Sequence, residues 1–352
     1  MGAAFLVSPG PSRSWARALL GAALASAATA LAAGCGSSSL PPGGGGSARF
    51  SPYVDVGLGA DTPFDFAAAA RQTSVKSFTL GFIVASGGCN AAWGGGRALD
   101  SAYPSAQIAA LRHQGGDVRV SFGGRQGPEL AGNCSSAPDL ARAYQSVVDR
   151  YRLSKVDFDL EGETLSDAAA MARRWQAVKS VQDRAGSKGA RLDLSLTLPT
   201  APQGLTAPGL AALRAANAAG VRIDHLNVLA MDFGDGPAPS PAGRMAAYVE
   251  QAATSVHGQV GALLGGGGAA TWARLGVTPM IGVNDVSDEV FTLSDARRVV
   301  AFARDHGVGQ LSMWSVTRDK RCAGAAGGPA RPDCSGVDQG AYAFSRELSA
   351  FG

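Results

Sequence analysis

Eight short runs of apolar or alternating residues recur along the chain from about residue 50. They are Tyr53–Leu58, Ser77–Val84, Asp117–Phe122, Lys155–Leu160, Arg191–Leu198, His225–Met231, Leu275–Ile281 and Gln310–Trp314. Stretches with apolar residues at helical spacing fall between them. The clearest is Ser136–Tyr151. It opens on Ser136-Ala137-Pro138-Asp139, a cap with proline in the first turn and an acid three residues on, and then carries Leu140, Tyr144, Val147, Val148 and Tyr151. Ser166–Ala185 carries Met171, Trp175 and Val178 on one face, and Ser294–His306 begins with a Ser-Asp start signal and stops at Gly307. Pro104–Gln114, Ala207–Ala218 and Pro241–Leu264 complete the helical stretches. A β-then-α unit repeated eight times predicts an α/β fold, a single-domain (β/α)8 TIM barrel over residues 49–352. The competing doubly wound sheet lacks direct support, because no Gly-x-Gly-x-x-Gly follows the first run.

One run is unlike the others. In Lys155-Val156-Asp157-Phe158-Asp159-Leu160-Glu161 the hydrophobes alternate strictly with three carboxylates. Successive side chains of a strand point to opposite faces, so the three acids share one face. The run lies between two amphipathic helices, which predicts a parallel strand covered on both sides. The acids then point into an interior, where desolvation and mutual repulsion raise their pKa values. Such a row is a candidate for acid–base chemistry.

Composition narrows the picture. The chain has 352 residues, 46% hydrophobic and 17% charged, enough for a large core. Net charge is +3, with Arg13 and Arg17 contributing at the N-terminus, and no basic run with interleaved aromatics suggests nucleic acid. Residues 1–34 have the shape of a secretory signal, a positive n-region followed by a small, apolar stretch. Its end, Leu31-Ala32-Ala33-Gly34-Cys35, resembles a bacterial lipobox, with Ala32 where leucine is usual. This makes Cys35 the expected lipidation site of an exported, cell-surface protein; the other reading is cleavage after Ala28-Thr29-Ala30 and secretion. Residues 35–48 form a Gly/Ser/Pro-rich tether. Setting Cys35 aside leaves an even set, Cys89, Cys134, Cys322 and Cys334, as expected for disulfides after export. Cys322 and Cys334 share one Gly/Pro-rich loop, so the simplest pairing is Cys322–Cys334 with Cys89–Cys134, although spacing leaves three connectivities open. The four histidines form no ligand spacing and no metal is expected.

Several segments together carry a resemblance. Asp157-x-Asp159-x-Glu161 resembles the end of the Asp-x-x-Asp-x-Asp-x-Glu signature of the family 18 glycoside hydrolases, the chitinase family. Ser121-Phe122-Gly123-Gly124 resembles the family's Ser-x-Gly-Gly at the third strand, Met231-Asp232-Phe233 its Met-x-Tyr at the sixth, and Trp314 the tryptophan flooring the sugar subsite. Segments 278–285 and 311–315 look like secreted actinobacterial chitinases in particular.

The resemblance implies a retaining, substrate-assisted hydrolase of β-1,4-linked N-acetylglucosamine polymers, acting as a monomer and without a cofactor. Glu161 would protonate the glycosidic oxygen, Asp159 would orient the substrate's acetamide, and Asp157 would support both. Ser121, Met231, Asp232, Phe233, Asn284 and Trp314 would line the substrate site. The membrane would be reached only through a lipid on Cys35. Two positions depart from the pattern: Ser154 stands for the first aspartate and Phe233 for the tyrosine. Two other readings fit the same barrel, a non-catalytic glycan-binding protein and an endo-N-acetylglucosaminidase acting on N-glycans. The presence of Glu161 favours an enzyme over a binder.

Overall fold

The computed structural model describes residues 49–58, 63–286, 288–324 and 326–352. The signal segment, Cys35 and the tether lie outside the described residues. Eight parallel strands follow the eight predicted runs: β1 Tyr53–Asp55, β2 Ser77–Ala85, β3 Asp117–Gly123, β4 Lys155–Asp159, β5 Asp193–Ala201, β6 His225–Leu229, β7 Leu275–Thr278 and β8 Gln310–Leu311. Each pairs with the next in sequence, the simplest parallel order, because every crossover is a helix lying on the outer face. The ends meet through a parallel bridge from Phe50 to Leu311 rather than a full ladder. Ser51 N donates to Leu311 O, and Tyr53 N to Met313 O, both at 3.0 Å.

Among the described residues, the helices of seven or more residues are α1 Phe66–Thr73, α2 Ala102–His113, α3 Ala137–Tyr151, α4 Ala168–Ser187, α5 Ala207–Ala218, α6 Met245–Val260, α7 Leu293–His306 and α8 Ala343–Ser349. α3 starts as its sequence predicts, with the Ser136 hydroxyl accepting from Asp139 N. α7 is capped differently from the expectation. Thr292, not Ser294, is the N-cap, and it forms a reciprocal capping box with Asp295, while Gly307 closes the helix at φ 70°. α1 and α8 lack a predicted counterpart. They have eight and seven residues, too short for a clear 3.6-residue period. α8 owes its position to Asp319, whose carboxylate accepts from Phe344 N and Ser345 N.

β4 is covered as its pattern predicts. Phe158 stacks on Phe122 at 5.1 Å and meets Tyr144 and Trp175 edge-on, in the apolar layer between barrel and helices. The opposite face looks into the barrel. Both disulfides have the simplest pairing, Cys89–Cys134 and Cys322–Cys334. The first ties the loop after β2 to the segment before α3.

Candidate active site

The three carboxylates lie in one row along β4 and just beyond its C-terminal end. Asp157 and Asp159 are 1% and 2% exposed, whereas Glu161 is half-buried at the rim. Backbone at Glu161 is still extended, with φ −130° and ψ 162°, so the two-residue period carries past the last ladder pair. Site residues at the C-terminal ends of barrel strands are where the (β/α)8 fold places its chemistry.

The acids differ in what surrounds them. Asp157 is richly supported. Ser121 donates to its Oδ2 at 2.6 Å, Tyr53 to the same oxygen at 3.0 Å, and Thr197 to Oδ1 at 2.7 Å. Burial pushes the Asp157 carboxyl up, and the hydroxyls of Ser121 and Thr197, with the Arg119 guanidinium, pull it back. Asp159 has no such support, and its Oδ1 is buried without a partner. Burial pushes it well above the usual carboxylate range, and the charges of Glu161 and Asp157 add to that. Glu161 is pushed up to about 7, mainly by burial, with Arg125 opposing and Asp232 reinforcing the rise. Burial therefore favours the protonated form along the whole row, and at Asp157 the hydroxyls and Arg119 from below offset part of that rise.

The Ser-Phe-Gly-Gly segment is more than a turn. Ser121 holds Asp157, and the two glycines admit no side chain. At Gly123, with φ 98°, a Cβ would stand 2.2 Å from Asp159 O, and at Gly124, with φ 82°, it would meet the Phe82 ring at 2.8 Å. Gly124 N donates to Asp159 O at 2.9 Å, so β3 is locked directly onto the acid strand. Phe82 in turn stacks on Trp314 with centroids 5.6 Å apart, and Tyr53 lies 6.0 Å from both rings. Trp314 is half-buried, as a platform with one face covered would be.

The remaining predicted residues divide. Met231 and Asp232 are half-buried after β6. Asp232 has φ 47°, and its Oδ1 accepts from Asp285 N at 2.8 Å and Val286 N at 3.3 Å, joining the turns after β6 and β7. Arg125, from the loop after β3, lies 3.8 Å from both Asp232 and Asp285. Asn284 is 2% exposed, its amide nitrogen donates to Met280 O and Gly282 O, and its Oδ1 accepts from Asp232 N, so it shapes the turn beside Asp232. Phe233 is similarly withdrawn, 7% exposed and edge-on to Tyr248 of α6. Trp93, beyond β2, is an anchor, 1% exposed with its indole N–H on Tyr151 Oη at 2.8 Å.

Sequence reasoning missed Tyr53, Phe82, Arg125, Thr197 and Glu289. Glu289, 1% exposed, accepts from Phe233 N and Gly234 N and so fixes the backbone that presents Asp232. Thr197 was findable, because Asp193-Leu194-Ser195-Leu196-Thr197-Leu198 alternates polar with apolar just as the acid strand does.

Fold and site together define a (β/α)8-barrel protein with a carboxylic acid centre at the C-terminal ends of its strands. No protein-family model matches the chain. The probable bifunctional chitinase/lysozyme of Escherichia coli (strain K12) is 38% identical over 277 residues, 77% of this chain and 31% of that protein. Endochitinase 11 of Metarhizium anisopliae is 38% identical over 278 residues, 77% of this chain and 52% of that protein. The chain thus spans 31% and 52% of the length of these two curated relatives. The catalytic domain of the hyperthermophilic chitinase from Pyrococcus furiosus is 32% identical with a TM-score of 0.75, the match covering 86% of this chain and 94% of that one. The chain belongs to the chitinase family, family 18 of the glycoside hydrolases.

Proposed function

We propose that this protein hydrolyses β-1,4-linked N-acetylglucosamine polymers with retention, using the substrate's own acetamide as nucleophile. The observation that carries this reading is the graded row of acids. Glu161, at the rim and pushed up to about 7, keeps a proton to give to the glycosidic oxygen. Asp159, buried beside it with a free oxygen, orients the acetamide as it closes on the anomeric carbon. Asp157, held by three hydroxyls, anchors the row. Trp314 forms the floor under the sugar whose bond breaks. An inverting enzyme would need a second carboxylate about 6.5–9.5 Å away to activate water, and in the substrate-assisted reading the acetamide replaces it.

The reading is tested with a chromogenic diacetylchitobioside. Wild type should release the chromophore, and Glu161→Gln should lose about 10²–10⁴-fold in kcat, the usual contribution of a general acid. A wild type that binds chitooligosaccharides without cleaving them would make the protein a glycan-binding one.

The same proposal includes export, a lipid on Cys35, residues 35–48 as tether and a monomeric state. Mass spectrometry of the mature N-terminus tests the lipid, and an unmodified terminus beyond Cys35 would refute it. A special kinship with secreted actinobacterial chitinases is a finer proposal, supported by segments 278–285 and 311–315 alone.

A further inference from the structure

A hydrogen-bonded chain crosses the barrel interior to Asp157. Thr278 of β7 donates to Asn227 Oδ1 at 2.8 Å. Asn227 of β6 donates through Nδ2 to Thr197 Oγ1 at 3.1 Å and to Tyr53 Oη at 3.5 Å. Thr197 and Tyr53 then donate to the two oxygens of Asp157. Thr278 and Thr197 are fully buried and Asn227 is 5% exposed, so little solvent competes.

The direction of this chain is forced from its acidic end. When Asp157 is ionised it can only accept, and Thr197 and Tyr53 then turn their protons toward it. Their oxygens are then acceptors, and an amide NH2 is the group that can serve both. That argument also settles the orientation of Asn227, with nitrogen toward Thr197 and oxygen toward Thr278. The two hydroxyls lie 3.1 Å apart, close enough for one to donate to the other and abandon Asp157. The Asn227 amide disfavours this option by occupying an acceptor lone pair of Thr197 and, at 3.5 Å, of Tyr53. Gly276 leaves room for it, since a Cβ there would stand 2.9 Å from Asn227 Oδ1.

We propose that Asn227 is a positioning residue of the acid centre, holding the hydroxyls of Thr197 and Tyr53 on Asp157 from the far side of the barrel. The proposal rests on the reading of the Asp157–Glu161 row as that centre. It also explains how Asp157 is supported although Ser154 stands where the family pattern has a further aspartate. The other groups facing Asp157 are Arg119 below, Asp159 above, and the hydroxyls of Ser121 and Ser195 on the neighbouring strands. Hydrogen bonds aligned in one direction reinforce each other, and their benefit goes to the anion at the end.

The test compares Asn227→Leu, Thr197→Val and Thr197→Ser with wild type by two measurements. The first is the pH profile of kcat/KM. Asn227→Leu and Thr197→Val should move the acid limb up by about one pH unit, a tenfold loss well below the limb, because an unsupported Asp157 takes a proton sooner. Thr197→Ser, which keeps the hydroxyl, should restore the wild-type limb. The second is a carbon-13 NMR titration of aspartate carboxyls, with the Asp157 signal assigned by its loss in Asp157→Asn. Its midpoint should rise in Asn227→Leu and Thr197→Val and stay put in Thr197→Ser. An Asp157 titration identical in wild type and Thr197→Val overturns the proposal. Should wild type prove inactive while the NMR midpoints move as stated, the functional reading falls and the positioning role stands. Should Asn227→Leu fail to fold, the near-isosteric valine and serine pair at residue 197 decides the matter.

Discussion

Gly123 lies against the main chain of Asp159, with no room between them for a methyl group. The same residue has φ 98°, which L side chains rarely adopt. Gly123→Ala should therefore destabilise the fold by about 2–4 kcal/mol, from backbone strain and from overpacking together. The shift in denaturant midpoint measures it. Because the pressure falls on Asp159, activity of the folded fraction should drop as well.

Glu161 must carry its proton to act as an acid. Its folded pKa is raised to about 7, mainly by burial. The expected consequence is a basic limb of the kcat/KM pH profile near 7, with activity falling as pH rises through it. A basic limb near 4.5, the ordinary range for glutamate, would assign the limb to a different group.

Arg125 works against that rise. It lies over the cleft between Asp232 and Asp285, two-thirds exposed, and is the largest influence opposing burial at Glu161. Arg125→Ala should shift the basic limb upward by about half a pH unit or less, since solvent and salt screen an exposed charge. The displacement should be greatest at low ionic strength, and Arg125→Lys should largely abolish it.

The disulfides close loops of unequal length, with sequence separations of 45 for Cys89–Cys134 and 12 for Cys322–Cys334. On loop-closure entropy alone, Cys89→Ser with Cys134→Ser should cost about 4 kcal/mol and the other pair about 3 kcal/mol. Equilibrium unfolding of the two double variants compares them.

Much of this was legible in the chain. Strand positions followed from eight apolar or alternating runs, and the acid row from the period of a single one, because burial on both faces leaves a strand few ways to place charge. Loop proximity made Cys322–Cys334 with Cys89–Cys134 the simplest pairing, and the structure selects it from the three connectivities that spacing left open. What escaped was whatever depends on distance across the barrel. Tyr53 and Asp157 are 104 residues apart, and their contact exists only once the sheet has curled. Arg125 was invisible for a related reason, since its partners come from two other loops. Motif position places Asn284 and Phe233 near the site without saying how their side chains are held. Both are withdrawn, one into a turn and one against α6.

The parallel bridge between Phe50 and Leu311 has a consequence for how the molecule comes into being. During synthesis β1 emerges first and must wait for β8, some 260 residues later, before the ring can seal. The platform under the acids draws Tyr53 from the first strand, Phe82 from the second and Trp314 from beyond the last. A nascent chain that already displays its carboxylates on β4 therefore lacks the ring from beyond the last strand. The aromatic cluster is complete only with the final turn of the barrel, so a partly made or C-terminally clipped protein would carry the acids without it.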